Sequence, residues 1–187
     1  MHRIALPLLA ALLATPAAAH APMMNEEAST PADPYVIDDP EHSKAIYAEL
    51  DGDPDYYLLT SEEAFDLYVG LTAARVEGCP LAQTFSFEIT TPAGEVLDAR
   101  DGAEFEWWPW FEEFGKRWYW VGPETGADFR STEVYPAGAY VVRVFNETNT
   151  GKYVLAVGDD ERFGPGVLLS LPRVSRESRA WWDAAGC

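Results

Sequence analysis

Histidine is scarce in this chain, with three residues in 187. One of them, His2, lies in the extreme N-terminal segment, and His20 sits on a proline-rich stretch. A Ser–His–Asp triad therefore has only His42 to draw on. The chain has no histidine-rich metal motif and no glycine-rich phosphate loop. Basic residues are few as well: 13 Lys and Arg stand against 31 Asp and Glu, a formal net charge of −18. Nucleic-acid binding rests on cationic neutralisation of phosphates, so a polyanionic partner is excluded. The field favours divalent cations and cationic surfaces instead. Beyond the N-terminus no stretch approaches the roughly 18 unbroken apolar residues of a membrane span. Cysteine is limited to two residues, Cys79 and Cys187. In an oxidising compartment they can pair and tie the C-terminus to the body, which the chain-entropy model values at about 4 kcal/mol.

The N-terminus reads as a secretory signal. His2 and Arg3 give a short positive start, Ile4 to Ala14 an apolar core, and Ala17-Ala18-Ala19 the small residues of a cleavage site. The expected organisation is a signal at 1–19, a flexible leader at 20–39 with three prolines, a β-domain at 40–172 and a C-terminal helix or tail at 173–187. Export places the mature chain in the periplasm or outside the cell.

From Ala45 onward the pattern is β. Residues 45–50, 56–60, 65–71 and 84–90 read as strands, and "DGDPD" at 51–55 is dense turn chemistry. Phe85, Phe87 and Ile89 alternate with Ser86, Glu88 and Thr90, so one face is apolar and the other polar. Tyr140, Val142 and Val144 share a strand face, Asn146 to Gly151 makes a hairpin loop, and Tyr153 to Val157 returns. Short strands punctuated by Gly, Pro and Asn predict an all-β, antiparallel, jelly-roll-like sandwich. The last segment changes character: Ser175 to Ala184 reads as one short helix, with Arg173, Arg176 and Arg179 at spacing three and Trp181 and Trp182 beyond them. Those arginines and tryptophans would dock the helix on the acidic body, the favoured reading, or lay it on anionic lipid.

Between the two halves of the β pattern lies an aromatic insertion, "EFEWWPWFEEFGKRWYWVGPE", from Glu104 to Glu124. It holds Trp107, Trp108, Trp110, Trp118 and Trp120, five of the chain's seven tryptophans. On strands, Trp108 and Trp110 share a face with Trp107 opposite, and Trp118 and Trp120 share another. The block is either a flap that closes the core, with Lys116 and Arg117 stacked on rings, or a ligand or partner surface for protein or sugar. A glycosidase would draw on Glu106, Glu112 or Glu113, carboxylates that a solvated surface explains far more readily.

"GDPDYYLL" (52–59) and "AGAYVVRVFNETNTGKYVLAVG" (137–158) together resemble the strand signatures of bacterial pre-peptidase C-terminal domains. Pro136, Gly138, Tyr140, Val142, Val144, Tyr153, Leu155 and Val157 carry the second half of that likeness. The resemblance implies a sandwich that binds, spaces or folds beside other domains, with calcium sometimes involved. The tryptophan block lies outside that pattern and no peptidase is attached. The whole layout is also similar to an uncharacterised group of exported bacterial proteins.

Two metal readings stay open. Asp51, Asp53 and Asp55 alternate like the opening ligands of a calcium loop, although Tyr56 stands where a helix–loop–helix site needs glycine. Calcium is thus the cofactor the acidic loops would take, with Asp159, Asp160 or Glu161 as further donors. A freed His20 can chelate copper through its amine and ring nitrogen, and Met23 and Met24 add thioethers suited to Cu(I). The overall expectation is a non-enzymatic exported binding or structural module with an envelope protein or glycan as partner. The alternatives are metal handling and carbohydrate binding.

Overall fold

The computed structural model describes residues 20–25, 29–113, 115–161 and 165–186. The expected signal, 1–19, lies outside the described residues. In chain order the strands are β1 (Ala21–Met24), β2 (Tyr35–Ile37), β3 (Lys44–Asp51), β4 (Asp55–Ser61), β5 (Phe65–Leu67), β6 (Val69–Ala74) and β7 (Ser86–Thr90). They continue as β8 (Val96–Arg100), β9 (Trp108–Glu112), β10 (Arg117–Glu124), β11 (Glu133–Tyr135), β12 (Gly138–Phe145) and β13 (Thr150–Val157), before helix α1 (Pro165–Asp183).

Two sheets face each other. The first runs β1-β3-β13-β6-β10-β9 and the second β2-β4-β12-β7-β8, with β5 and β11 as a separate ribbon. Strand alternation builds the core. Ile46, Ala48 and Leu50 from β3 meet Tyr153, Leu155 and Val157 from β13, and the second sheet answers with Tyr57, Leu59, Phe87, Ile89, Val142 and Val144. Burying each of these large side chains contributes on the order of 1.5–3 kcal/mol. The all-β sandwich expected from periodicity is the observed architecture.

Three elements depart from the sequence expectation. The stretch 20–39, expected to be a flexible leader, supplies an edge strand to each sheet. β1 pairs with β3 and β2 with β4, both in parallel, in an otherwise antiparallel fold. Proline in β1 is tolerated because this is an edge strand, where a missing N–H costs no ladder bond. Second, the strand expected at 65–71 breaks at Tyr68. β5 leaves to pair with β11, while Thr125 Oγ1 accepts the Val69 N–H at 3.1 Å as β6 begins. Third, α1 begins at Pro165, not after Pro172, and carries that proline inside it. A proline removes one helical N–H and kinks a helix without always ending it.

The arginines do not dock α1. Arg173 pairs with Glu177 one turn along the same helix. Docking rests on Trp181 and Trp182, both buried against the first sheet, where Trp181 Nε1 donates to the Ala48 carbonyl at 3.2 Å. Among the described residues no helix is long and apolar enough to cross a membrane.

Candidate ligand cavity

The outer face of the first sheet is apolar where an exposed sheet face would be polar. Val154 and Ala156 point away from the core yet are buried, so β13 is covered on both sides. Ala156 lies opposite Ala45, and Val154 lies between Tyr47 and Thr72. These short side chains make a low floor. Above it, α1 presents Ser175, Ser178, Arg179 and Trp182, which the 3, 1, 3 spacing sets on one helical face. The β9–β10 hairpin closes the side with Trp110 and Tyr119, and Phe129 caps them from the following loop. The partly open cavity has a volume of about 300 Å³.

The wall is a chain of ring contacts. Trp110 lies 6.1 Å from Tyr119 and 5.8 Å from Phe129, and Tyr119 meets Trp182 edge-on at 4.6 Å. Edge-to-face pairs at such distances add about 0.5–1.5 kcal/mol each beyond area burial. Phe129 remains 46% exposed, which marks it as part of the rim. Tyr47 and Tyr119 join their hydroxyls at 2.9 Å. Burial pushes both phenols above the ordinary tyrosine range.

The other end of the cavity is polar. The His20 ring stacks parallel to Tyr68 at 6.4 Å, and its Nδ1 bonds the Ser43 hydroxyl. Burial, aided by the nearby Arg130 charge and opposed by Asp159, lowers the His20 pKa to about 4. Glu124 accepts the Arg130 backbone N–H at 2.8 Å, and burial raises its carboxyl despite this bond and one from Tyr68. Burial works against the Arg130 charge, but bonds to Glu161 and Asp159 hold the guanidinium above its ordinary value.

The depressed His20 pKa has a testable consequence. The folded state binds its proton less readily than the unfolded chain does, so the neutral ring contributes full stability above pH 6.5. That contribution is lost as pH falls towards about 4, and it amounts to up to about 3 kcal/mol. His20→Gln should therefore flatten the loss of urea midpoint between pH 7 and pH 4.5, and an unchanged slope would remove His20 as its source.

The tryptophan block divides among three environments. Trp107 enters the core side, donates to the Gly102 carbonyl at 2.8 Å and lies 6.4 Å from Phe85. Trp110 lines the cavity and Trp108 packs on Phe129 at 5.0 Å, both on the hairpin face towards α1. Trp118 and Trp120 take the other face, with the Arg75 guanidinium 4.9 Å and 5.4 Å from their rings. Only Trp118 of the five is strongly exposed, at 44%. Lys116 and Arg117 do stack on rings, Lys116 over Phe111 at 6.0 Å and Arg117 over Trp182 at 5.8 Å.

The expected metal donors are not gathered. Asp51 and Asp53 are exposed, whereas Asp55 turns inward to Tyr153 and Ser29. Met23 packs on the central core and Met24 on the outer cluster, so β1 alternation sends the two thioethers to opposite faces. Among the described residues no three His, Cys, Asp or Glu side chains group as a metal site. Glu106 and Glu113 are not among the residues around the cavity; Glu112 is. Cys79 is disulfide-bonded, and Cys187, its expected partner, lies outside the described residues.

The cavity escaped the sequence reading because its floor is made of small residues on four separate strands. One signal was present. "YVLAV" at 153–157 is apolar without alternation, the mark of a strand buried on both faces.

Neither a family model nor a curated protein matches this chain. Among solved structures it is similar to the pre-peptidase C-terminal domain of a collagenase from Bacillus anthracis. The two share 11% identity at a TM-score of 0.38, over 72% of this chain and 98% of that one. It is also similar to the catalytic domain of a GH87 α-1,3-glucanase in complex with nigerose, at 14% identity and a TM-score of 0.31. That match covers 65% of this chain and 23% of the other. A pre-peptidase C-terminal domain is thus among the structures the chain resembles, as its strand signatures implied.

Proposed function

We propose that this chain is a non-enzymatic exported module, periplasmic or extracellular, that binds a small molecule in the cavity beneath α1. One observation carries the reading: a sheet, a hairpin and a helix from distant parts of the chain combine to wall an apolar space with rings. A cleft leaves the apolar side chains that line it without packing partners, so a purely structural spacer gains nothing by keeping one. Apolar, aromatic-lined clefts with a few polar groups are the usual form of small-ligand sites.

Two features favour binding over catalysis. His20 and Glu124, the base and acid at the polar end, are engaged by Ser43, Tyr68 and Arg130. A ring with a pKa of about 4 is also a weak base at neutral pH. A flat sugar platform would need several exposed rings on one face, and of the five tryptophans in the block only Trp118 is strongly exposed.

The test uses N-phenyl-1-naphthylamine, an uncharged dye that fluoresces in apolar sites. The wild-type chain should bind it saturably. Ala45→Phe, which places a ring on the cavity floor, should weaken binding at least about tenfold while the thermal midpoint stays close to wild type. Absence of saturable binding to the wild type would remove this reading.

A further inference from the structure

The chemistry of the cavity's ligand follows from counting charges and hydroxyl protons, and this step rests on the binding reading above. Most of the charged side chains around the space are engaged by partners, and the exception, Arg179, is exposed to solvent. Arg130 is bound by Asp159 and Glu161, and Arg117 leans on Asp183 at 3.4 Å. Glu124 is occupied by the Arg130 backbone and Glu112 accepts the Gly115 N–H, while Arg179 keeps its charge in solvent at the rim. A charged ligand would lose hydration here, and the one counter-charge without a partner among the described residues, Arg179, is itself hydrated at the exposed rim.

The tyrosine pair is different. Tyr47 and Tyr119 have two hydroxyl protons between them and share a single hydrogen bond at 2.9 Å. Neither hydroxyl has another hydrogen-bond partner among the described residues. One O–H is therefore left over, on residues that line the cavity, and a desolvated donor of this kind is costly if nothing accepts it. Its neighbours on the floor, Ala45 and Val154, offer no side-chain acceptor.

We infer that the cavity takes an uncharged, ring-bearing molecule with an oxygen acceptor, a ketone or ester, whose oxygen receives the spare hydroxyl proton of the Tyr47–Tyr119 pair. The ring body lies on the Ala45, Val154 and Ala156 floor against Trp110 and Trp182. The counting makes an unusual prediction: either tyrosine alone still leaves one O–H for the ligand, so only loss of both removes the donor.

The experiment compares three dyes on the full chain. Prodan is an uncharged naphthyl ketone, N-phenyl-1-naphthylamine is uncharged without an oxygen acceptor, and 1-anilinonaphthalene-8-sulfonate is anionic. Tyr47→Phe and Tyr119→Phe should each keep prodan affinity within about threefold, and the double variant should lose about tenfold, the equivalent of one hydrogen bond. N-phenyl-1-naphthylamine should bind all four proteins alike, which also shows that the double variant keeps its cavity. Equal losses of prodan and N-phenyl-1-naphthylamine in the double variant, or no loss of prodan, would overturn the hydroxyl assignment while leaving the cavity reading intact. Tighter binding of the sulfonate than of prodan would overturn the uncharged class. Failure of every dye on the wild type would instead sink the binding reading itself.

Discussion

Asp55→Ala will destabilise the fold by roughly 3–5 kcal/mol, the range for removing one partner from a buried charged network. Asp55 is the acceptor at the end of a buried relay. Asn25 donates to the Tyr57 hydroxyl at 3.4 Å, Tyr57 bonds Tyr153 at 2.6 Å, and Tyr153 donates to Asp55 at 2.6 Å. Ser29 Oγ donates to the other carboxylate oxygen at 3.0 Å and accepts the Tyr56 N–H at 2.9 Å. Truncation leaves the Tyr153 hydroxyl, which is fully buried, without its acceptor. It also removes the acceptor that holds Ser29 to the sandwich. Guanidinium unfolding will read the loss as a lower midpoint, and a change under about 1 kcal/mol would show that the relay is not structural.

The same carboxyl has a pH signature of opposite sign to that of His20. Burial raises the Asp55 pKa, against the bonds from Tyr153 and Ser29. The folded state thus holds this proton more tightly than the unfolded chain, whose reference is 3.8. Its stabilising contribution is full below that value and declines as pH rises through the folded pKa. Asp55→Asn, which stays neutral, should lack this component in a pH series of unfolding midpoints.

Gly102→Ala is expected to cost a comparable roughly 3–5 kcal/mol, at the upper end of the overpacking range. A Cβ at this position would stand 1.9 Å from the Phe85 carbonyl oxygen and 2.5 Å from its carbon. Those are backbone atoms, so the clash cannot be relieved by a rotamer change. Gly102 also ties the aromatic insertion to the sandwich. Its N–H donates to Ser86 Oγ at 2.9 Å, and its carbonyl receives Trp107 Nε1 at 2.8 Å. Pushing this segment outward breaks both bonds and withdraws the Trp107 ring. The check is a thermal melt followed by tryptophan emission. A drop of roughly 10 °C with red-shifted emission is expected, given about 2–4 °C per kcal/mol at this size. A wild-type melt would mean that the close approach at Phe85 is relieved without cost.

Much of the sandwich was legible because alternation is a local property. Phe87 and Ile89, or Val142 and Val144, lie two residues apart on a pleated strand and must share a face whatever else the chain does. Which residue lies opposite Trp110, or beneath α1, is not local. Trp110 meets Tyr119 because a hairpin closes over nine residues, but it meets Phe129 and the helix only because the sandwich folds them together. The leader was misjudged for a related reason. The stretch 20–39 has too little apolar surface to form a core of its own, and its described residues are held by ladder bonds and Asp55 contacts supplied by strands further along the chain.

The amino-acid sequence alone determined the class of scaffold, two pleated layers with an aromatic insertion and a terminal helix, because side-chain periodicity and turn chemistry act over a few residues. The cavity, the pairing of Tyr47 with Tyr119 and the inward turn of Asp55 were decided by the tertiary structure. Each depends on surfaces that meet only when segments tens of residues apart are packed, and burial then alters both the hydrogen-bond needs and the proton affinities of the groups enclosed.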